Sequence, residues 1–366
     1  MSLLKEMLQE RAAESGPAPI DLATIKASGL RKARRRGLVI GAATSAAVMA
    51  AIMVPVTIHL DHNPTAAPVT DRDIQPGREP LSWAIETTLH TTGGQTIDVG
   101  RTIRAYVEVD HGFVFTDEHG DVWQIHGHDV SKVGSSRDDG TKQLVADGRY
   151  AAWLEGGTSP HFVTLDTQTG AVSRIQAQVD SATPSPAIYA LDGTRLYGRD
   201  SHGVIAIDSA TNTVTVMTTN AGDLRINDVE HGTMLVTAGR PGSERSYVTG
   251  DLNQFGHPLP IAPGGGLSQG GHYASTSAES RTGLAIVDLT TGTVIRPAQA
   301  KQFEYFTAYR WLSDNTYAAV GVNGLRSTSA TKLTITPFRC VVGQECEPLD
   351  LGWPWPLELP IGENLT

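Results

Sequence analysis

"LDTQTGAV" (165–172), "IDSATNTV" (207–214) and "VDLTTGTV" (287–294) are three versions of one phrase. Asp166 and Asp208 stand 42 residues apart, and Asp208 and Asp288 stand 80 apart, two steps of 40. A second marker keeps the same period. Tight turns fall at Gly112, Gly148, Gly193, Gly232, Gly271 and Asn315, in steps of 36, 45, 39, 39 and 44. The runs between them, such as "RLYG" (195–198), "VIAI" (204–207) and "LAIV" (284–287), are too short for helices and apolar on both faces.

A unit of about 40 residues with four short strands is a β-propeller blade. Each blade is apolar on both faces because it packs between two others, so the units require a ring. The D-G turns are expected to join strands a and b. The DxxTG phrases join strands c and d, where Gly170, Asn212 and Gly292 can take a positive φ. Six units run from about residue 103 to 350, preceded by the hairpin "TTLHTTGGQTIDVG" (87–100). The expected fold is an all-β propeller of six four-stranded blades closed by that hairpin, with seven blades as the alternative. Over roughly 280 residues the repeats resemble the WD-repeat-like, quinoprotein-like and TolB-like propeller group, in period and turn pattern only. The Gly-His and Trp-Asp signature of true WD repeats is missing, so no residue roles carry over.

The chain has 38 Gly, 20 Pro and a net charge of −10, unevenly spread. Residues 1–36 carry eight basic and four acidic side chains, a net of +4. Residues 61–366 carry 21 basic and 35 acidic ones, a net of −14, which argues against nucleic acid as a partner. Between them, Gly37–Leu60 has no Asp, Glu, Lys or Arg. Twenty-two helical residues span about 33 Å, against a hydrocarbon core of about 30 Å. Arg31, Lys32, Arg34, Arg35 and Arg36 precede this run. The positive-inside rule therefore leaves the N-terminus in the cytoplasm and the rest outside. A cleaved signal peptide is the rival reading, but its n-region would be unusually long and no clear small-x-small site follows.

The expected organisation is a basic stub (1–36), a span in the lipid bilayer (37–60), a Pro-rich stalk (61–82) and the propeller (83–366). The stub places Leu3, Leu4, Met7, Leu8 and Ala12 on one helical face. It either rests on the membrane or docks a cytoplasmic protein through residues 1–30. Stub, Arg cluster, Ala-rich span and outer domain resemble bacterial single-pass envelope regulators in layout, over the first 60 residues.

Cys340 and Cys346 are the two cysteines of the chain, and outside the membrane they are expected to pair. "GLSQG" (266–270) matches GxSxG by letter, yet a nucleophile elbow needs a strand before Ser268 and a helix after it. Neither is expected here. His126 and His128 form an HxH pair that falls in a c–d turn, a surface position rather than a metal site. No cofactor is implied.

Propeller ligands usually meet the face that gathers the b–c loops. Those loops bring Asp117, His119, Glu155, Asp200, His202, Arg240, Arg245, Glu279, Arg281 and Arg326 to one rim. The first three loops are acidic and bear His, and the last three are rich in Arg, which binds carboxylates as a planar fork. Exposed hairpin loops are charged in any case, so the rim alone names no ligand. The leading expectation is a membrane-anchored binding propeller for an envelope glycan or protein. One alternative is a transducer that engages a cytoplasmic regulator through the stub. The other is a hydrolase or lyase using Asp117, Glu155 or Asp200.

Overall fold

The computed structural model describes residues 81–127, 129–137, 142–180, 185–219, 224–240, 242–261, 264–276, 283–324, 333–354 and 356–362. The stub, the span and nearly all of the stalk lie outside these residues. Among the described residues no helix is long and apolar enough to cross a membrane.

Seven sheets follow one another along the chain, each a blade. Blade 1 holds β1 (Ser82–Ile85), β2 (Thr88–Thr91) and β3 (Thr96–Asp98). Blade 2 holds β4 (Ile103–Val109), β5 (Gly112–Asp117), β6 (Asp121–His126) and β7 (Asp129–Ser135). Blade 3 holds β8 (Leu144–Asp147), β9 (Tyr150–Glu155), β10 (His161–Asp166) and β11 (Val172–Gln176). Blade 4 holds β12 (Ala187–Asp192), β13 (Arg195–Asp200), β14 (Gly203–Asp208) and β15 (Thr213–Thr218). Blade 5 holds β16 (Leu224–Glu230), β17 (Thr233–Ala238) and β18 (Arg245–Thr249). Blade 6 holds β19 (Tyr273–Thr276), β20 (Ala285–Asp288) and β21 (Val294–Ile295). Blade 7 holds β22 (Tyr305–Trp311), β23 (Thr316–Asn323), β24 (Thr334–Val341) and β25 (Glu347–Pro348).

The ring therefore has seven blades, not the six that the repeat count favours. Blade 7 is complete without help, so the N-terminal hairpin becomes a blade of its own. Its inner strand arrives from the far end of the chain. Glu358 pairs antiparallel with Ala84, each N–H donating to the other's carbonyl at 2.9 Å. Blade 6 is completed locally, by Leu267 against Ala274. In blade 5 the place of the outer strand is taken by the irregular segment His257-Pro258-Leu259-Pro260. Two prolines have no N–H to donate, and Leu259 N–H supplies one bond, to Ser246 O at 2.7 Å.

The repeated phrase is turn chemistry. Asp166 Oδ1 accepts from Gln168 N at 3.0 Å, Asp208 Oδ1 from Ala210 N at 2.9 Å and Asp288 Oδ1 from Thr290 N at 2.8 Å. Gly170, Asn212 and Gly292 follow at φ of 71°, 54° and 72°. All three turns join strands c and d, and the second marker joins a and b throughout.

Each interface between blades has its own apolar cluster, which is why each strand run is apolar on both faces. Val107, Val114 and Val122 of blade 2 meet Leu144, Trp153 and Val163 of blade 3. Phe162 of blade 3 meets Ile188, Leu196 and Ile205 of blade 4. Tyr189, Tyr197 and Val204 of blade 4 meet Ile226, Met234 and Val236 of blade 5. Trp83 of blade 1 meets Tyr305, Val320 and Trp353 across the closure. Cys340 and Cys346 form a buried disulfide at the c–d hairpin of blade 7, with Cα atoms 4.2 Å apart.

Candidate functional site

The inner strands of all blades run the same way along the central channel. Their first residues lie at the mouth that gathers the d–a and b–c connections, and their last residues at the mouth that gathers the a–b and c–d turns. Charge is uneven between these two ends, although Glu304, just before β22, stands at the first mouth. Arg104 in β4, Lys142 just before β8 and Arg225 in β16 stand at the first mouth. Asp110, Asp147, Asp192, Glu230 and Asp314 stand at the second, where β4, β8, β12, β16 and β22 end in a–b turns. The turn spacing places one acid in each of five blades there.

These acids fix neighbouring turns and crowd one another. Gly193 N donates to Asp147 Oδ2 at 2.6 Å, and Gly232 N to Asp192 Oδ2 at 2.8 Å, so one blade's acid ties the next blade's turn. Burial and then the charges of Asp228, Asp147, Asp192 and Asp314 push the Glu230 carboxyl up to about 8. Burial raises Asp147 and Asp228 as well. A folded-state pKa above the ordinary carboxylate value means a contribution complete below about 4.5 and lost as pH rises through about 8. Glu230→Gln is therefore expected to melt higher than the parent at pH 9 and equally at pH 4.5. Parallel melting curves across that range would show that Glu230 carries no such strain.

Asp314 also joins Ser268 and His272. Ser268 Oγ donates to Asp314 Oδ1 at 2.7 Å, and His272 Nδ1 lies 2.7 Å from Asp314 Oδ2. A nucleophilic triad places the histidine between serine and acid. Here the acid is in the middle, Ser268 is fully buried, and its Oγ also accepts from His272 N and Tyr273 N, both at 3.1 Å. The group clips blade 6 to blade 7.

The b–c loops carry the residues expected on the rim. Asp117 is turned inward: Oδ1 accepts from His119 N at 2.9 Å and Asp121 N at 3.0 Å, and Oδ2 from Trp123 Nε1 at 2.9 Å. Arg101 covers the Trp123 ring at 3.8 Å. Asp200 is buried in the same way, accepting from His202 N at 2.8 Å and Gln178 N at 3.1 Å. Glu155 pairs with Arg174 at 3.2 Å. The His119 and His202 rings are exposed. Arg240 is exposed on the β17–β18 connection, and Arg245 is exposed at the start of β18. Glu279, Arg281 and Arg326 lie outside the described residues, as does His128. His126 sits at the β6–β7 turn, its ring 6.2 Å from that of His111. Among the described residues no three His, Cys, Asp or Glu side chains are grouped to hold a metal ion. The cations at the channel mouth were not legible as a group, because Arg104, Lys142 and Arg225 come from separate blades and share no motif.

No protein-family model and no curated protein matches the chain. Solved structures of similar fold are propellers. The β-propeller domain of the Trilobed protease from Pyrococcus furiosus is similar over 72% of this chain and 86% of that one, at 11% identity and TM-score 0.51. That domain is described as having an open velcro topology, whereas the present ring is closed by Glu358 on Ala84. PorZ, a surface component of the type-IX secretion system of Porphyromonas gingivalis, is similar over 76% of this chain and 38% of that one, at 12% identity and TM-score 0.49. An oligogalacturonate lyase in complex with manganese is similar over 73% of this chain and 84% of that one, at 10% identity and TM-score 0.45. At 11% identity the likeness to the Trilobed protease domain shows the fold alone.

Proposed function

We propose that the chain is a membrane-anchored, extracytoplasmic binding propeller whose basic channel mouth and b–c rim recognise a component of the cell envelope, a glycan or a protein. The observation that carries this reading is the uneven charge along the channel, with Arg104, Lys142 and Arg225 at one mouth and five carboxylates at the other. A binding surface uses such polarity to orient a charged partner. The hydrolase or lyase alternative loses support from the same residues. Asp117 and Asp200 spend their lone pairs on turn N–H groups and Trp123, and Glu155 on Arg174. Anchoring by residues 37–60 rests on the uncharged run and its Arg cluster. An oxidising compartment fits the Cys340–Cys346 disulfide.

The test is cross-linking of the full-length chain in intact membranes, followed by identification of the adducts. The expected result is an outer-side adduct that persists when residues 1–30 are deleted. Adducts only with cytoplasmic proteins, lost on that deletion, would replace this reading with the transducer.

A further inference from the structure

The outer edge of blade 4 differs from the outer edges of the other blades. β15 ends the sheet order β12-β13-β14-β15, and among the described residues no strand pairs with its far side. Thr213, Val214, Thr215 and Val216 are exposed in succession, the two valines at 46%. β-Branched residues on an open edge are a template for another strand. The stretch 209–222 holds no Asp, Glu, Lys, Arg or His. Other outer strands carry the charges that discourage such pairing: Asp98 in β3, Asp129 and Lys132 in β7, Arg174 in β11 and Glu347 in β25. Leu259 meets β18, and β21 is two residues long and runs into Arg296.

The turn before β15 sets which backbone groups face outward. In the two sister turns Asp166 N donates to Ala171 O and Asp288 N to Thr293 O, at 2.9 and 3.0 Å. The matching pair in blade 4 is Asp208 and Thr213. The ladder to β14 therefore runs through Thr213 and Thr215, and the N–H and C=O of Val214 and Val216 point away from it. The opening is short. The register shifts between Val216 and Thr218, and the Met217 carbonyl accepts from Asn253 Nδ2 at 3.0 Å. Beyond Asn253, Phe255 packs on Tyr247 with ring centroids 5.1 Å apart and is exposed, which extends the apolar surface.

Charge selects the occupant. A charged segment of another protein finds no counter-charge on β15. A strand that pairs with its own copy faces its own charges, and β15 has none. A second copy turned about a two-fold axis through Thr215 sets Thr215 opposite itself. Val214 of each copy then exchanges N–H and C=O with Val216 of the other.

We propose that β15 is an interface between two copies of this chain, joined edge to edge so that the two blades 4 form one sheet. The interface lies on the circumference of the ring, away from both channel mouths, and does not depend on the binding reading above. The contact is smaller than the roughly 1,200–2,000 Å² that stable complexes bury, so the association is weak and reversible.

The experiment is site-directed disulfide cross-linking. Thr215→Cys supplies a single free thiol, because Cys340 and Cys346 are bonded to each other. Residues opposed without hydrogen bonds have Cα atoms about 4.5 Å apart, within reach of a disulfide. The full-length variant in detergent micelles is oxidised with copper phenanthroline at rising protein concentration and run on non-reducing gels. The expected result is a disulfide-linked dimer. Ser135→Cys, at the exposed end of β7, is expected to give none. Adding Val216→Lys to Thr215→Cys sets two cations diagonally across the axis and is expected to cut the yield about tenfold. No dimer at position 215, equal yields at 215 and 135, or a yield that Val216→Lys leaves unchanged overturns the interface. The same oxidation in intact membranes tests the other occupant. Thr215→Cys joined there only to a different protein would overturn self-pairing and assign the edge to a strand of that protein.

Discussion

Deleting residues 357–366 is expected to abolish the cooperative thermal transition of the propeller. Residues 357–362 of this segment supply the inner strand of blade 1, through Glu358 on Ala84, and the contacts that close the ring. Leu357, Leu359 and Ile361 are 3%, 4% and 8% exposed. Burying each contributes about 1.5–3 kcal/mol, so the three together contribute roughly 5–9 kcal/mol. Net stabilities of folded proteins are about 5–15 kcal/mol, so the loss is comparable to the whole. Beyond the strand, Gly362 N donates to Tyr106 O at 3.0 Å, and Gly362 O accepts from Gln143 N at 2.8 Å and Leu144 N at 3.1 Å. One residue thus ties the closing strand to blades 2 and 3. Gly362 has φ +69°, and a Cβ there would lie 1.9 Å from Leu144 O, so Gly362→Ala is expected to fall between parent and deletion. Circular dichroism of the full-length variants during heating decides the matter. A deletion variant that melts cooperatively within about 5 °C of the parent would mean that the ring does not depend on this closure.

Arg310→Met is expected to cost about 3–5 kcal/mol, read as a fall in Tm of about 10 °C. Arg310 on β22 of blade 7 pairs with Glu108 on β4 of blade 2, and blade 1 lies between these two blades in the ring. The Glu108 and Arg310 side chains are 8% and 22% exposed. Glu108 also accepts from Ser82 Oγ of blade 1, and that oxygen lies 3.1 Å from Tyr106 Oη. Removing the cation leaves a shielded carboxylate with only a hydroxyl to answer it. The physical cost is that stranded charge rather than the strength of the pair, so the double variant Glu108→Met/Arg310→Met is expected to recover most of the loss. Chemical denaturation of the single and double variants separates the two terms. A single variant within about 1 kcal/mol of the parent would show that the pair does not hold the seam.

Most of the fold was legible because blade grammar is local. An Asp that accepts from the backbone two residues on, followed by a residue at positive φ, makes its turn wherever it stands. Asp166, Asp208 and Asp288 therefore announced c–d hairpins, and Gly112 to Asn315 announced a–b hairpins. Short runs apolar on both faces announced that blades pack on both sides. The spacing of Cys340 and Cys346 within one hairpin allowed the disulfide to be read, and the incomplete surroundings of Ser268 argued against a nucleophile.

The sequence by itself determined the repeat, the turns, the strand order within each blade and the separation of an uncharged N-terminal run from an acidic body. Only the tertiary structure decided that there are seven blades, since the inner strand of blade 1 lies 274 positions after its partner Ala84. It alone turned the Asp117 and Asp200 carboxylates inward onto their own loops and onto Trp123 and Gln178. It also brought Lys142, before the first strand of blade 3, to the Tyr189 carbonyl of blade 4. Turn chemistry is settled by neighbours a few bonds away, whereas ring closure and the meeting of charges are settled by which blade faces which. That is fixed only when the last strand enters the first sheet.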